Sequence, residues 1–446
     1  MKILYNKNML DKYGTGVLGR LDFSSVHGRH LVVGLSGGAD SVALVHLLNG
    51  QRPQIRLTAV HVEHGIRGQA ALDDASFCER LCRRLAIPLY TEHVDAPAYA
   101  RDNSVGLETA ARTLRYRILR SVKSNVGADY IALAHHLDDQ AETVLMHLFR
   151  GCGPEGISGM SVFSDDLYRP LLELRKTDLE EYLTAHGEVW CTDMTNALPD
   201  NPRNELRHNA IPAIRRIYPA AERAIVRYAE AAAVESDYLD RATDDYISRH
   251  ARRFPWGFSL DFGSSFHPAV KRRALRKLLG RDLSHEHILA ICSLDPGRYE
   301  IPKWGLAERS GDELYLISKG FTPPKEAALD LSGTTVLDGI GELEAVPSTP
   351  EPVRNDPFRQ VLNAEALMGC VLRTRRPGDR IRPLGSGDKL LSDLFIDKKV
   401  PRPLRLSIPV VAKGDRILWA IGLCIAEEAK IRDRNDRTVM LRWRAY

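Results

Sequence analysis

Two glycines, two hydroxyls and a carboxylate separate two apolar runs in the stretch SGGADS, residues 36–41. The run before this stretch has the length of a strand, and the run after it has the length of a helix. A helix N-terminus presents unpaired N–H groups and the positive end of its dipole, so a turn at this place predicts an anion site. Gly37 and Gly38 would let phosphate oxygens approach the backbone, and Asp40 would help to hold a metal ion. The alternative is a plain Gly-Gly turn with a polar helix cap.

The elements around this stretch alternate between strand and helix as far as residue 151. Apolar runs predict strands at HLVVGLS, IRLTAVHVEH, IPLYTEHVD and ADYIALAHH, and amphipathic segments between and after them predict helices. Alternation of this kind predicts a parallel, Rossmann-like sheet covered by helices on both faces. Ligands bind such sheets at the carboxyl ends of the strands, which is where SGGADS lies.

Three domains are predicted for the 446 residues, which are too many for one core. We expect an α/β catalytic domain at 1–218, a helical middle domain at 219–323 and a small α+β domain at 324–446. The polar segment 191–212 contains three prolines and is predicted to be a loop or a mobile arm. A long helix is predicted at 220–250. Trp190, Trp419 and Trp443 are expected in cores.

Charge and composition limit the classes of partner. The net charge is +4, but residues 371–446 contain 18 Lys and Arg against 9 Asp and Glu. A basic end on a slightly acidic body favours a polyanionic partner, with a solvated surface as the alternative. No stretch approaches the roughly 20 apolar residues of a membrane helix, so no membrane partner is expected. Seven scattered cysteines are typical of a reducing cytoplasm.

Longer motifs identify a family. The P-loop and dinucleotide-binding patterns are absent, and SGGADS resembles the pyrophosphate-binding loop of the PP-loop ATP pyrophosphatases. The stretches HVEHGIRG, ETAARTLRY, ALAHHLDDQAETVLMHLFRGCGPEGISGM and RNELR follow in an order that resembles the tRNA(Ile)-lysidine synthetases. The run from RRPGDRIRPLGS to ILWAIG resembles the terminal domain of that family. The resemblance covers most of the chain, and its middle is unsupported.

The resemblance implies a reaction and its participants. ATP adenylates the wobble cytidine of an isoleucine tRNA with a CAU anticodon, and the ε-amine of free L-lysine then displaces AMP to form lysidine. Mg²⁺ is the implied metal, at Asp40 and Asp138. The implied ATP-binding residues are Ser36, Gly37, Gly38, Ala39, Asp40, Ser41 and His61. The implied catalytic residues are Asp40, Arg112, Asp138 and Arg207.

The residues expected to recognise lysine or tRNA lie at three places. They are His135, Asp138, Glu142, Arg115, Arg203, Asn204, Arg376, Arg380, Lys398 and Lys399, with Arg373, Arg375, Arg402 and Arg405 as further phosphate contacts. Asp138 and Glu142 are expected near lysine or Mg²⁺, with His135 or His136 as a proton acceptor. A capping box at Asp139 and Glu142, a surface pair of Glu108 with Arg112, and a solvated arm around Arg203 are the structural alternatives.

Other functions stay open at this stage. One alternative is that the chain is another kind of PP-loop tRNA-modifying enzyme, although the Cys-x-x-Cys pair of a thiolase is absent. A non-catalytic module that binds tRNA and ATP is the other, and the carboxylates near the expected phosphate site argue against it. The oligomeric state is open, with a homodimer among the alternatives.

Overall fold

The computed structural model of the protein describes residues 21–66, 68–192, 202–263, 265–280, 283–351, 353 and 356–446. The chain forms two compact units, residues 1–237 and 238–446. Each unit has its own sheets and apolar core. The domain boundaries near 218 and 323 stay a prediction.

A six-stranded sheet organises the first unit. Its strands are β1 (His30–Gly34), β2 (Arg56–Glu63), β3 (Leu89–His93), β4 (Tyr130–Ala132), β5 (Phe163–Ser164) and β6 (Leu167–Tyr168). The order is β3-β2-β1-β4-β6-β5, with every neighbouring pair parallel except β5 and β6. The chain leaves β1 toward β2 on one side and returns to pair with β4 on the other. The carboxyl ends of β1 and β4 therefore flank a topological switch point, where such sheets bind ligands.

Helices cover both faces of this sheet, as predicted. They are α1 (Ala39–Asn49), α2 (Gln69–Arg84), α3 (Ala96–Asp102), α4 (Leu107–Val126), α5 (Leu137–Phe149), α6 (Pro154–Ile157) and α7 (Lys176–Ala185). The core on one face joins α1, α2 and α7 to β1. The core on the other face joins Leu119 and Val122 of α4 to Val32 and Ile131 of the sheet. Burial of side chains on both faces explains why the central strands β1, β2 and β4 are mostly apolar, whereas the edge strand β3 is mostly exposed.

The predicted loop around residue 205 is helical in the structure. It consists of α8 (Pro202–Glu205), a π-helical turn (Leu206–Ala210) and α9 (Ile211–Ile217). The loop prediction is wrong here because Pro202 begins a helix and Pro212 lies in the first turn of the next. In the first turn of a helix, the N–H group that proline lacks would have no partner within the helix. Residues 193–201 of the predicted arm lie outside the described residues.

A long helix, α10 (Ala221–His250), follows as predicted, and the boundary between the units falls within it. The middle of the chain also contains α11 (Pro268–Leu279) and α12 (His285–Cys292). The pattern gave no sign of the antiparallel sheet β7-β8-β11-β10-β9 that accompanies these helices. Its strands are β7 (Ala251–Phe254), β8 (Gly257–Asp261), β9 (Gly297–Ile301), β10 (Gly305–Ser310) and β11 (Glu313–Ser318).

The C-terminal part consists mostly of strands, as expected for its short β-like runs. They are β12 (Ala327–Ala328), β13 (Thr334–Leu337), β14 (Gly341–Ser348), β15 (Arg359–Asn363), β16 (Val371–Thr374), β17 (Arg380–Ile381), β18 (Lys389–Leu390), β19 (Pro409–Lys413), β20 (Arg416–Ala420), β21 (Cys424–Ile425) and β22 (Thr438–Ala445). The helices are α13 (Ala364–Leu367) and α14 (Leu391–Asp397). Trp419 and Trp443 are buried in this core, and Trp190 packs against the core of the first unit, as predicted.

Candidate active site

The SGGADS loop joins the carboxyl end of β1 to the N-terminus of α1. Gly37 has a φ of +90°, a conformation that side chains with a Cβ rarely adopt. Gly38 has an extended backbone and precedes the first turn of α1. A Cβ on Gly37 would contact the sulfurs of Cys191 and Cys78, whereas a Cβ on Gly38 would meet only Ser36 Oγ, at 3.6 Å. The loop therefore turns Gly37 inward and leaves Gly38 beside open space.

The two hydroxyls of the loop hold its shape. Ser41 Oγ donates to the carbonyl of Gly38 at 3.0 Å and accepts the backbone N–H of Ser36 at 3.2 Å. Ser36 Oγ lies 3.1 Å from Ser41 Oγ. These bonds fix the first N–H groups of α1 before any ligand arrives, which lowers the entropic cost of binding phosphate.

A cavity of about 230 Å³ opens beside the loop. Its walls include Ser36, Asp40 and Ser41 from the loop, His61 and His64 from the end of β2, Arg115 from α4 and His135 from the end of β4. The cavity lies at the switch point between β1 and β4. It brings together polar and charged residues that are up to about 100 residues apart in the sequence, from Ser36 to His135.

His61 is held in one orientation. Its Nδ1 lies 2.9 Å from the carbonyl oxygen of Leu35, which can only accept, so Nδ1 carries the hydrogen. The tautomer leaves Nε2 as an acceptor on a ring that lines the cavity. An acceptor at this place suits an amino or hydroxyl group of adenosine.

His135 and Arg115 bring unsatisfied nitrogens to the cavity. His135 Nδ1 and Arg115 Nε are both buried without a hydrogen-bond partner. Burial lowers the pKa of His135 to about 3, so its ring is neutral at physiological pH. Buried polar atoms without partners are costly, and a bound phosphate or nucleobase would satisfy both.

His136 lies between three carboxylates and has the opposite character. Its ring nitrogens are 3.6 Å from Asp40 Oδ2, 3.5 Å from Asp138 Oδ2 and 3.3 Å from Asp139 Oδ2. Burial by itself lowers the pKa of His136, but the carboxylates of Asp138 and Asp40 outweigh it and raise the pKa to about 10. His136 is therefore a cation at neutral pH, which leaves His135 of the two residues predicted as a proton acceptor. His136 serves as the positive centre of an acidic cluster.

Asp139 acts as a helix cap, which was the structural alternative for this cluster. Its Oδ2 accepts the backbone N–H of His136, at 3.1 Å, at the start of α5. The cap partner is His136, three residues earlier, and not Glu142.

Asp40 has the features of a cation ligand. Its Oδ1 is buried without a hydrogen-bond partner and its side chain borders the cavity. An unsatisfied carboxylate oxygen beside a phosphate site fits Mg²⁺, which prefers oxygen ligands and keeps several waters. Asp138 borders a different cavity, so the structure does not bring the two predicted Mg²⁺ ligands onto one cavity wall.

A second cavity, of about 220 Å³, lies on the other side of His136. Its charged lining residues are His136, Asp138, Glu142, Arg175, Lys176, Glu180, Arg207, Arg215 and Glu222. Asp138 Oδ2 accepts the backbone N–H of Lys176 at 2.9 Å. Burial would raise the pKa of Asp138, but His136 and this N–H outweigh it and lower the pKa to about 2. Asp138 is thus a fixed negative charge in a cavity that offers both signs.

The helical segment after residue 201 places two arginines on Glu142. Arg207 donates to both oxygens of Glu142, at 2.6 Å from Nε and 2.8 Å from Nη2, and also reaches Asp139 at 3.0 Å. Arg203 donates to Thr143 at 2.7 Å and lies 3.3 Å from Glu142. Glu142 is 1% exposed, and burial raises the pKa of its carboxyl against the opposing effect of Arg207. Asn204, from the same segment, lies on α8.

The sequence did not predict three charged residues that border the second cavity. Glu222, at the start of α10, is fully buried and accepts from Arg215 Nε at 2.8 Å. Arg175 lies 4.0 Å from its other oxygen. No motif marks these residues, and only the fold brings α10 to the cavity.

Arg112 lies apart from both cavities. It is exposed on α4, and its Nη2 donates to the hydroxyl of Tyr116 at 3.3 Å instead of pairing with Glu108. It borders a third cavity with Arg169. The structure brings Arg115, but not Arg112, to the cavity beside the SGGADS loop.

The basic residues of the C-terminal part differ in whether a carboxylate already pairs with them or leaves them available to contact phosphate. Arg373 is buried and donates to both oxygens of Asp379, at 2.8 and 2.7 Å, so the expectation that it contacts phosphate is wrong. Arg376 pairs with Glu326 at 3.0 Å and Arg380 with Asp388 at 2.8 Å. Lys398 and Lys399 are exposed. No carboxylate among the described residues lies within ion-pair distance of these two lysines.

Comparisons with known proteins show the family of this chain. The PP-loop domain family matches residues 17–214, and the TilS substrate C-terminal domain family matches residues 370–443. The fold and the loop thus define a PP-loop protein that uses ATP. The chain is 35% identical over 431 residues to tRNA(Ile)-lysidine synthase of Geobacter sulfurreducens, with 91% of each chain covered. It is 30% identical over 434 residues to that of Caldanaerobacter subterraneus, with 92% of each covered. The chain belongs to the tRNA(Ile)-lysidine synthase family.

Among solved structures, a TILS C-terminal domain aligns with 27% of this chain and 98% of its own, at 27% identity and a TM-score of 0.25. In the described residues, no helix is long and apolar enough to cross a membrane.

Proposed function

We propose that this chain ligates L-lysine to C2 of the wobble cytidine in the CAU anticodon of tRNA(Ile), through an adenylated tRNA, with release of AMP and diphosphate. The product, lysidine, changes the codon read from AUG to AUA. One observation carries the proposal: Asp40, which borders the cavity beside the SGGADS loop, and Asp138, which borders the second cavity, contact opposite ring nitrogens of His136.

The first cavity suits the adenylation step. The N–H groups at the start of α1 would hold the β- and γ-phosphates, and His61 Nε2 would accept from adenosine. The C2 carbonyl oxygen of cytidine attacks the α-phosphorus, and the bond from that phosphorus to diphosphate breaks. Arg115, which borders the cavity, would offset the charge that develops on the phosphoryl oxygens. Mg²⁺ held by Asp40 would neutralise part of the triphosphate charge.

The second cavity suits lysine. Free lysine carries two ammonium groups and one carboxylate, and the cavity presents carboxylates together with Arg175, Lys176 and Arg215. Asp138, with its lowered pKa, remains charged and would bind the ε-ammonium next to the adenylated base. The ε-ammonium gives one proton to water in the cavity, the resulting amine attacks C2, and the bond between C2 and the oxygen of AMP breaks.

Arg207 and lysine compete for Glu142 in this scheme. Arg207 occupies both oxygens of Glu142. An ammonium that binds Glu142 would release Arg207, and the freed guanidinium would move toward the reacting base. Arg203 and Asn204 share the helical segment and would move with it.

The remaining participants follow from surface and composition. The exposed Lys398, Lys399, Arg376 and Arg402 would contact tRNA phosphates, mainly for affinity and register. All seven cysteines are free thiols, which fits a cytoplasmic enzyme. The homodimer stays a prediction that light scattering of the full chain would test.

The experiment incubates the protein with ATP, radiolabelled lysine and tRNA(Ile) transcripts that differ only at the wobble base. We expect lysine incorporation and diphosphate release with cytidine at that position and neither with uridine. Asp40→Asn is the control, because it should keep tRNA binding and lose diphosphate release. Diphosphate release that ignores the wobble base, or that continues without tRNA, would contradict the proposal.

A further inference from the structure

A third cavity, of about 580 Å³, lies between α4 and the end of the sheet at β6. Four arginines line it: Arg112, Arg117 and Arg120 from α4, and Arg169, which directly follows β6. The resemblance implied a catalytic role for Arg112, but neither the motifs nor the two cavities described above account for Arg117, Arg120 and Arg169.

Arg169 is buried without a counter-charge. It is 7% exposed, its Nη1 donates to the carbonyl of Ser161 at 3.0 Å, and its Nε has no hydrogen-bond partner. No carboxylate among the residues the structure describes lies within 4 Å of it. A buried cation with no counter-charge costs several kcal/mol, roughly, unless an anion joins it.

The neighbouring arginines are also short of carboxylates. Arg120 lies 3.3 Å from Asp166, which Lys123 also contacts at 3.7 Å. Arg112 lies over the ring of Tyr116 at 5.1 Å, and Arg117 lies over the ring of Tyr99 at 5.6 Å. Aromatic contacts orient a guanidinium without neutralising it. Four guanidiniums therefore share one carboxylate, and the cavity is built for an anion.

The third cavity and the cavity beside the SGGADS loop are neighbours along α4. Arg115 borders the cavity beside the loop, and Arg112, three residues earlier and on the same side of the helix, borders the third cavity. An RNA strand with its wobble base at the SGGADS loop carries a phosphodiester at each linkage to the next nucleotide. Such a strand can therefore present an anion to the neighbouring cavity.

We propose that the third cavity binds a phosphodiester of the anticodon loop next to the reacting cytidine, with Arg169 and Arg117 as its ligands. This inference rests on the proposed function. The site would position the wobble base through its own backbone and would read phosphate, not base identity.

The test uses an anticodon stem-loop RNA and the full-length variants Arg117→Gln and Arg169→Gln. Each substitution should weaken RNA binding by about tenfold, the loss expected for one charged hydrogen bond. ATP binding should be unchanged. Arg29→Gln is the matched control, because Arg29 is exposed, directly precedes β1 at the opposite end of the sheet, and costs the same single charge. Arg117 is exposed, so its variant keeps the test valid if Arg169→Gln fails to fold.

A second measurement locates the phosphate. Neutral methylphosphonate linkages, introduced one at a time, should weaken binding to the wild type at one position beside the wobble nucleotide. The same linkage should have a smaller effect on Arg117→Gln, which keeps Arg169 as the remaining ligand. Unchanged RNA affinity in both variants would overturn the inference, and so would weaker ATP binding, which would assign the cavity to the triphosphate. If either of these results appears and the wild type still forms lysidine, the proposed function stands and only the inference about the third cavity falls. If the wild type forms no lysidine while the phosphate effect appears, the proposed function falls and the phosphate site in the third cavity remains.

Discussion

Gly37 and Gly38 are adjacent, yet the structure predicts opposite results for the same substitution. Gly37→Ala places a Cβ at a φ of +90°, and the neighbouring sulfurs at 3.4 and 3.5 Å leave room for it. The cost is therefore backbone strain alone, about 1–2 kcal/mol. Gly38→Ala keeps φ at −72° and meets only Ser36 Oγ, at 3.6 Å. Alanine caps a helix less well than glycine, which lowers the free energy of unfolding, and it reduces the entropy of the unfolded chain, which raises that free energy. These two effects nearly cancel.

Calorimetry of the full chain measures the difference. A loss of 1–2 kcal/mol in a unit of this size lowers its midpoint by roughly 2–8 °C. The transition that ATP shifts upward belongs to the first unit, since ligand binding stabilises only the unit that binds it. We expect Gly37→Ala to lower that midpoint without ligand and Gly38→Ala to leave it near the wild-type value. If neither variant lowered the midpoint, the strained loop would be refuted. If both variants lowered it by the same amount, the assignment of the cost to φ would be refuted.

Three further predictions concern charges. Asp138→Asn should raise the KM for lysine by about tenfold or more and leave ATP affinity unchanged, as steady-state kinetics would show. His136 has a pKa of about 10 in the folded protein, against 6.5 for an unperturbed histidine, so its stabilisation is complete below pH 6.5 and is lost as pH rises through 10. The midpoint difference between the wild type and His136→Gln should shrink from pH 7 to 9.5, by the equivalent of roughly 2–4 kcal/mol; a constant difference would contradict the buried cation. Replacing Lys398 and Lys399 by Gln should lower the slope of log tRNA affinity against log salt concentration by the equivalent of roughly two phosphate contacts. An unchanged slope would contradict this.

The local pattern was sufficient for the catalytic framework. The strands and helices around SGGADS follow from apolar periodicity, and the nucleotide loop follows from glycines at a strand-to-helix turn. Such features depend on neighbours in sequence, so a sequence alone predicts them. The polar segment around Arg207 was misread because composition suggested a loop, whereas its prolines stand where helices begin.

Charge states and pairings were decided by the tertiary structure. His136 is a cation because two carboxylates lie beside its ring, Asp138 at 3.5 Å and Asp40, almost 100 residues earlier, at 3.6 Å. The adjacent His135 is neutral because burial dominates there. Arg373 and Arg169 are both buried, but Arg373 has Asp379 beside it, whereas Arg169 has no carboxylate beside it in the part of the chain that the structure describes. Sequence shows which residues can carry charge. Whether a charge is paired, neutralised or left for a ligand depends on desolvation and on distances across the fold, which only packing sets.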